Sequence, residues 1–148
     1  PMAAGLSLPT ENIDLFRAKL NRQQTLTEKE LTPVTWIDVP MPVSYASKKL
    51  VEQLRVLEPF GKGNEKPVFA DRKLTVRSAN MIGKNKNVLK MQLEDTRGHV
   101  VDAIQFKVEE EDMPLRGKEI SIVYYPDINE FRGNQTLQFI VQEWCYTT

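Results

Sequence analysis

Lys84, Lys86, Lys90, Lys107 and Arg132 are the residues whose types and spacing point to chemistry, and that chemistry is phosphate binding. Phe106, Tyr125 and Phe131 fall among them in the chain. Cations that track a phosphate backbone, with aromatic faces on which bases stack, are what a single-stranded nucleic acid requires. Each stacked base is worth ~1–3 kcal/mol. No acid lies between Gly83 and Lys90. Each of these residues also has a plainer reading. Phe106 fits a core position, Tyr125 fits core or surface, and a lysine in a hairpin loop is usually just solvated. Phe131, beside Arg132 and Gly133 in a turn, is expected to be the most exposed ring.

Catalysis finds little support in the residues. His99 is the single histidine and sits on a predicted turn, and Cys145 is the single cysteine. Together they make no metal cluster. No serine or cysteine has a visible partner base. Glu109, Glu110, Glu111 and Asp112 form a contiguous acidic run. Such a run lacks the spaced, looped geometry of a metal site, so it reads as a solvated face or one that repels nucleic acid. Gly61-Lys62-Gly63-Asn64 has the makings of a backbone nest for phosphate, and a structural turn is the simpler reading. No cofactor is expected in this chain.

Composition bounds the rest. The 148 residues suit one domain with an appendage, and formal net charge is zero. Zero net charge argues against a generic nucleic-acid binder. The distribution argues back: from Arg72 to Lys107 there are eight basic residues and three acidic ones, and the acidic run follows at once. One positive face and one negative patch can hide inside a neutral total. One cysteine allows no internal disulfide and suits a reducing, cytoplasmic setting. No apolar run is long enough to span a membrane, and there is no signal-peptide pattern. The chain is expected to be monomeric. It opens PMAAGLSLP without an initiator Met, and is expected to be cut from something larger.

The elements that must position these residues change character at Leu57–Ala70, LEPFGKGNEKPVFA. Two prolines and two glycines there stop any regular element. Before it the chain reads mostly as helices. Residues 1–8 look like the end of a buried strand or turn. Thr10 is placed to cap a helix carrying Ile13, Phe16 and Leu20 on one stripe. Gln23–Thr32 is polar, a linker or short helical turn. Val34–Val39 is a short β-like run, and Ser44 is placed to cap a second helix bearing Leu50, Val51, Leu54 and Leu57.

After the junction the period becomes 2. Strands are predicted over Val68–Ile82, Val88–Glu94, Val100–Phe106, Glu119–Tyr125 and Thr136–Trp144. Leu89, Met91 and Leu93 face inward on the second, and Leu137, Phe139 and Val141 on the fifth. Arg132–Gln135 is a hairpin turn. Lys107–Leu115 is a short helix or loop between the third and fourth strands. Five strands with that insert predict a mainly β, α+β chain: a five-stranded OB-fold barrel preceded by two helices and a short strand. An SH3-like barrel or small sandwich is the runner-up. OB-folds bind ligands across strands two and three, between the first and last hairpin loops. Here those loops are Gly83–Asn87 and Phe131–Asn134, so the five cations are expected to converge on one groove.

Three segments carry a family resemblance. Met2–Leu8 resembles the run after the glycine-glycine-histidine motif of DHHA1 domains. Leu57–Ala70 resembles an LEPFG-x-GN-x-x-P-x-FA signature, and Asp127–Gly133 an INE-aromatic-RG hairpin. Val88–Lys90 and Asp102–Phe106 fit less specifically. By these the chain resembles the C-terminal part of bacterial RecJ exonucleases. The resemblance implies residues 1–24 as the end of a DHHA1-like domain, 25–32 as a linker, and 33–148 as an OB-fold domain with its barrel core at about 66–148. It implies a parent enzyme that removes nucleotides from single-stranded DNA, 5′ to 3′, in recombination and repair. Catalytic Mn or Mg would sit in a DHH domain whose motif is absent from this chain, so the fragment alone is expected not to hydrolyse DNA. The implied partner of this chain is single-stranded DNA. The rival reading is a module that docks single-strand-binding protein or another repair factor, and a third is a structural clamp holding the nuclease domains closed.

Overall fold

The computed structural model describes residues 5–147. The expected strand end at residues 1–8, and the motif Met2–Leu8 with it, therefore fall partly outside the described residues. The chain divides into two compact units between Thr35 and Trp36.

The first unit is helical. A 3-10 turn at Thr10–Asn12 runs into α1, Ile13–Gln23. Thr10 does not cap α1: the helix follows Asn12, with no side-chain cap bond. Glu28–Leu31 forms the four-residue α2, closed by a capping box in which Thr27 and Glu30 satisfy each other's backbone N–H. No residue of α1 or α2 is buried.

The second unit holds the core. The expected strand at Val34–Val39 shrinks to β1, Val39–Pro40, which pairs in parallel with the next strand through Val39 and Phe69. Proline has no N–H to extend the ladder, and Pro40 and Pro42 end it. Ser44 is inside a 3-10 turn at Val43–Tyr45, so it is not the helix cap. The cap is Ser47, whose extended backbone lets its Oγ accept the Leu50 N–H at 3.2 Å, opening α3, Lys48–Leu54.

Five long strands follow: β2 (Phe69–Ile82), β3 (Val88–Glu94), β4 (Val100–Phe106), β5 (Glu119–Phe131) and β6 (Asn134–Tyr146). The last two run longer than alternation alone marks, because polar residues near the tip still pair, from Asp127↔Gln138 to Phe131↔Asn134. Their loop is only Arg132 and Gly133, both at positive φ (51° and 79°), as a tight type I′ hairpin requires. The β4–β5 insert contains a single 3-10 turn, Glu110–Asp112.

The sheet order is β1-β2-β3-β4-β6-β5, and β2 also pairs with β5. That last ladder closes a barrel. β4 and β6 run parallel at Ala103↔Phe139 and Ile104↔Ile140. Both features belong to the OB-fold. β2 meets β5 with its first half and β3 with its second, and irregularities after Asp71 and Val76 let it bend between them.

Inward positions follow the predicted alternation. Leu89, Met91, Leu93, Phe139 and Val141 are buried, and Leu137 is half-buried against them. Tyr124 fills the centre, with ring centroids 6.0 Å from Phe69 and 5.2 Å from Phe139. Its hydroxyl donates to the Met41 carbonyl at 2.8 Å.

Leu93 is completely buried, so Leu93→Ala should cost about 2–5 kcal/mol in urea unfolding. Leu15→Ala on exposed α1 should change stability by less than about 0.5 kcal/mol. Burial, and then the charge of Asp71, push the Tyr124 hydroxyl well above its ordinary value. Its folded pKa exceeds its unfolded one, so its contribution is complete below the unfolded value and falls as pH rises past it. Thermal melts should show stability declining above pH ~10, and Tyr124→Phe should flatten that decline.

Candidate nucleic-acid interface

The barrel pins its outward residues in rows. One row crosses four strands: Asn80 opposite Lys90, Lys90 opposite Ile104, Ile104 opposite Ile140. The row above pairs Ile82 with Val88 and Val88 with Phe106. The row below pairs Ser78 with Gln92 and Gln92 with Asp102. Lys90 and Phe106 are thus diagonal neighbours on one face, a spacing of roughly 7–8 Å that long and aromatic side chains span. Phe106 is 54% exposed, so its ring is on the surface rather than in the core.

The β2–β3 turn meets the end of this face. The Val108 N–H donates to the Asn87 carbonyl at 3.1 Å, fastening that turn to the residues after β4. Exposed Lys84 and Lys86 therefore share one end of the face with Lys107 and Phe106. Phe131 and Arg132 are elsewhere. The β5–β6 tip precedes Phe139 in a strand parallel to β4, so it projects toward the N-terminal end of β4. The two cationic loops bracket the β3–β4 face from opposite ends. β4 is seven residues long, roughly 23 Å at ~3.3 Å per residue. Phe131 is 65% exposed, with the Arg132 guanidinium 5.1 Å from its centroid.

Comparison with known proteins bears on what such a face is for. The family model described as RecJ OB domain matches residues 37–143. The chain belongs to the RecJ OB domain family. It is 35% identical over 144 residues to the single-stranded-DNA-specific exonuclease RecJ of Haemophilus influenzae, covering 95% of this chain and 25% of that protein. To the protein of the same name from Bacillus subtilis it is 30% identical over 146 residues, covering 97% and 18%. The chain thus spans a quarter or less of the relatives it matches. The crystal structure of Thermus thermophilus RecJ with Mn2+ superposes with a TM-score of 0.68 over 96% of this chain and 20% of that one; at 17% identity the match speaks to the fold.

Within the RecJ OB domain, Tyr125 departs from the expected role of a stacking platform. It is 4% exposed, and the Lys66 ammonium is 4.0 Å from its ring centroid, with Phe60 edge-on at 6.4 Å. Its faces belong to the core and to the 57–70 junction. Burial, then Asp127, raises the pKa of its hydroxyl. The glycine turn in that junction is also internally satisfied, since Gly61 and Asn64 exchange backbone hydrogen bonds at 2.8 and 3.0 Å. Those amides are not aimed at a phosphate.

Alternation did not reveal two neighbours of the face. Arg77 projects outward at the second β2 irregularity and pairs with Glu94 at 2.9 Å, neutralising one acid there. Asp102 accepts from Gln92 Nε2 at 3.4 Å. The acidic run also comes closer than its place in the chain suggests. Glu110 lines a 220 Å3 cleft with Lys86, and Glu111 and Asp112 line a cavity of about 480 Å3 with Lys107. These acids bound the cationic surface on its β4–β5 side. Among the described residues no group of three or more His, Cys, Asp or Glu is placed to hold a metal ion. No described helix is long and apolar enough to cross a membrane.

Backbone conformation marks the cations further. Among the described residues the non-glycine positions at positive φ are Lys73, Lys86, Lys107 and Arg132, all of them basic. The left-handed region costs a side-chain-bearing residue ~1–2 kcal/mol, and such strain collects at functional sites. Lys86→Gly and Arg132→Gly should each therefore stabilise the fold by roughly 0.5–1 kcal/mol in urea unfolding while weakening any anion binding. Loss of stability in both would show that the lysine and arginine side chains serve the fold.

Proposed function

We propose that this chain is the single-stranded-DNA-binding module of a RecJ-like exonuclease that degrades single strands from 5′ to 3′ in recombination and repair. The observation that carries this reading is the diagonal placement of exposed Phe106 and Lys90 on the outer β3–β4 face, with Lys84, Lys86 and Lys107 at one end and Phe131–Arg132 at the other. Cations and exposed rings alternate there as a flexible strand needs. The relatives' name, single-stranded-DNA-specific exonuclease, supports the same ligand. In this reading hydrolysis and its Mn or Mg belong to a DHH domain of the parent enzyme, in the cytoplasm. Residues 1–24 end a DHHA1-like domain, 25–32 link, and 33–148 bind DNA as a monomer.

A second reading is a docking module for single-strand-binding protein or another repair factor. The acids beside Lys86 and Lys107 favour it, because they weaken the field that would hold DNA.

Fluorescence anisotropy with single- and double-stranded oligonucleotides across a salt series tests both. Log affinity for the single strand should fall with log salt by roughly 0.7 per neutralised phosphate. Lys84→Ala and Lys86→Ala should each reduce that slope by about 0.7. Phe106→Ala and Phe131→Ala should each cost ~1–3 kcal/mol with the slope unchanged. Equal affinity after removal of Lys84, Lys86 and Arg132 together would exclude the face as the binding site. Affinity for a partner protein without oligonucleotide binding would establish the docking reading instead.

A further inference from the structure

A cleft of about 480 Å3 opens between the first β2 irregularity and the C-terminal end of β6, sharing Trp144 and Tyr146 with the cavity beside Lys107. Its walls include Ile37, Arg72, Lys73, Ser121, Trp144 and Tyr146. The β2–β5 ladder breaks between Asp71↔Ile122 and Leu74↔Ile120, and this break turns Arg72 and Lys73 out together. Lys73 has φ 60°. Two acids, Asp71 and Glu143, line the same cleft, and the backbone holds the first of them. The Asp71 carboxylate accepts the Val43 N–H on one oxygen and the Arg72 N–H on the other, each at 2.7 Å. Among the described residues no ion pair engages Arg72 or Lys73.

A fixed aromatic pair lines the same cleft, with Trp144 partly buried against the core. Trp144 and Tyr146 meet edge to face at 5.2 Å and 82°. The Tyr146 hydroxyl accepts the Leu115 N–H at 3.1 Å, which anchors a ring that stays 45% exposed. Trp36, next to the lining residue Ile37, is 85% exposed. Two cations without an ion pair of their own, in a cleft that also holds fixed aromatic rings, suit phosphates and bases of a flexible strand. β2 connects this cleft to the interface: the strand that carries Arg72 and Lys73 continues through Arg77 to Asn80, which sits opposite Lys90.

We propose that this cleft is a second contact for single-stranded nucleic acid, engaging the part of the strand that runs past the β3–β4 face along the outside of β2. The proposal rests on the nucleic-acid reading of that face and extends it from one anchoring region to two.

The test is binding of oligothymidylates of two lengths to the chain and to its Arg72→Ala/Lys73→Ala variant. One length is about 5 nucleotides and the other about 20, short and long relative to the site of one OB-fold. Wild type should bind the long strand more tightly, beyond the statistical gain from extra positions. The double variant should leave the short strand within about twofold. It should weaken the long one about tenfold and lower its salt slope by roughly 1.4, for two phosphates. Tyr146→Phe keeps the ring and Tyr146→Ala removes it; only the second should weaken the long strand, with the slope unchanged. Thermal melts identify any variant that has lost its fold, and Lys73→Gly, which removes the charge and relieves its backbone, should show the long-strand loss in a stable protein.

Equal losses for both lengths, or none for either, would overturn the second contact while the face retained its role. Failure of wild type to bind either strand would remove the reading of the face and this proposal with it. Binding of poly-glutamate that Arg72→Ala/Lys73→Ala abolishes, without any length effect for DNA, would assign the cleft to an acidic protein and overturn the proposal.

Discussion

The β2–β5 ladder, running from Phe69↔Tyr124 to Thr75↔Glu119, turns a curled sheet into a closed barrel. Without it the two strands would each present an open edge, and the core would lose its far wall. Tyr124 lies at that seam. It packs on Phe69 across the ladder and on Phe139 beyond, and its hydroxyl holds the Met41 carbonyl. The seam therefore also ties the segment before α3 to the barrel. Closure has a cost in regularity, because one strand must pair along both edges while turning a corner. β2 meets that demand with two irregularities, and each turns a basic side chain outward: Lys73 at the first, Arg77 at the second. The feature that closes the fold also decides where its charge appears.

Charge here is local. A net charge of zero creates no long-range attraction for DNA, and at physiological salt the field of an exposed group decays within ~8 Å. The basic residues from Lys84 to Lys107 and the acids Glu110–Asp112 share the same rim. A strand bound across β3 and β4 would meet cations on one side and a carboxylate boundary on the other. Such a boundary favours one path over a diffuse basic surface. Left-handed backbone at Lys86, Lys107 and Arg132 adds to this, since strained positions hold those side chains where an unstrained turn would not.

Much of this was legible from residue order. Apolar and polar residues alternate through Leu89–Glu94, and Leu89, Met91 and Leu93 are the buried side of β3. Gly133 marks the hairpin because glycine accepts its left-handed backbone without strain. The Leu57–Ala70 junction divides helical from strand chemistry, and its signature carries the family. Other features escaped. Ser44 and Ser47 are equally good caps as residues, and only the extended backbone at Ser47 selects the helix start. Tyr125 belongs to an ordinary strand pattern, and the ring is hidden by Lys66 and Phe60 from a segment far away in sequence.

The division has a physical basis. Strand periodicity, turn chemistry and the abundance of basic residues between Arg72 and Lys107 are properties of near neighbours, so the order of residues is enough to establish them. Which cations share a surface depends on register and closure, which are set by contacts between residues tens of positions apart. Local patterning brought Lys84 and Arg132 to loops of one barrel. The parallel pairing of β4 with β6 put those loops at opposite ends of the face, and the break in the β2–β5 ladder brought Arg72 and Lys73 into one cleft with Trp144 and Tyr146.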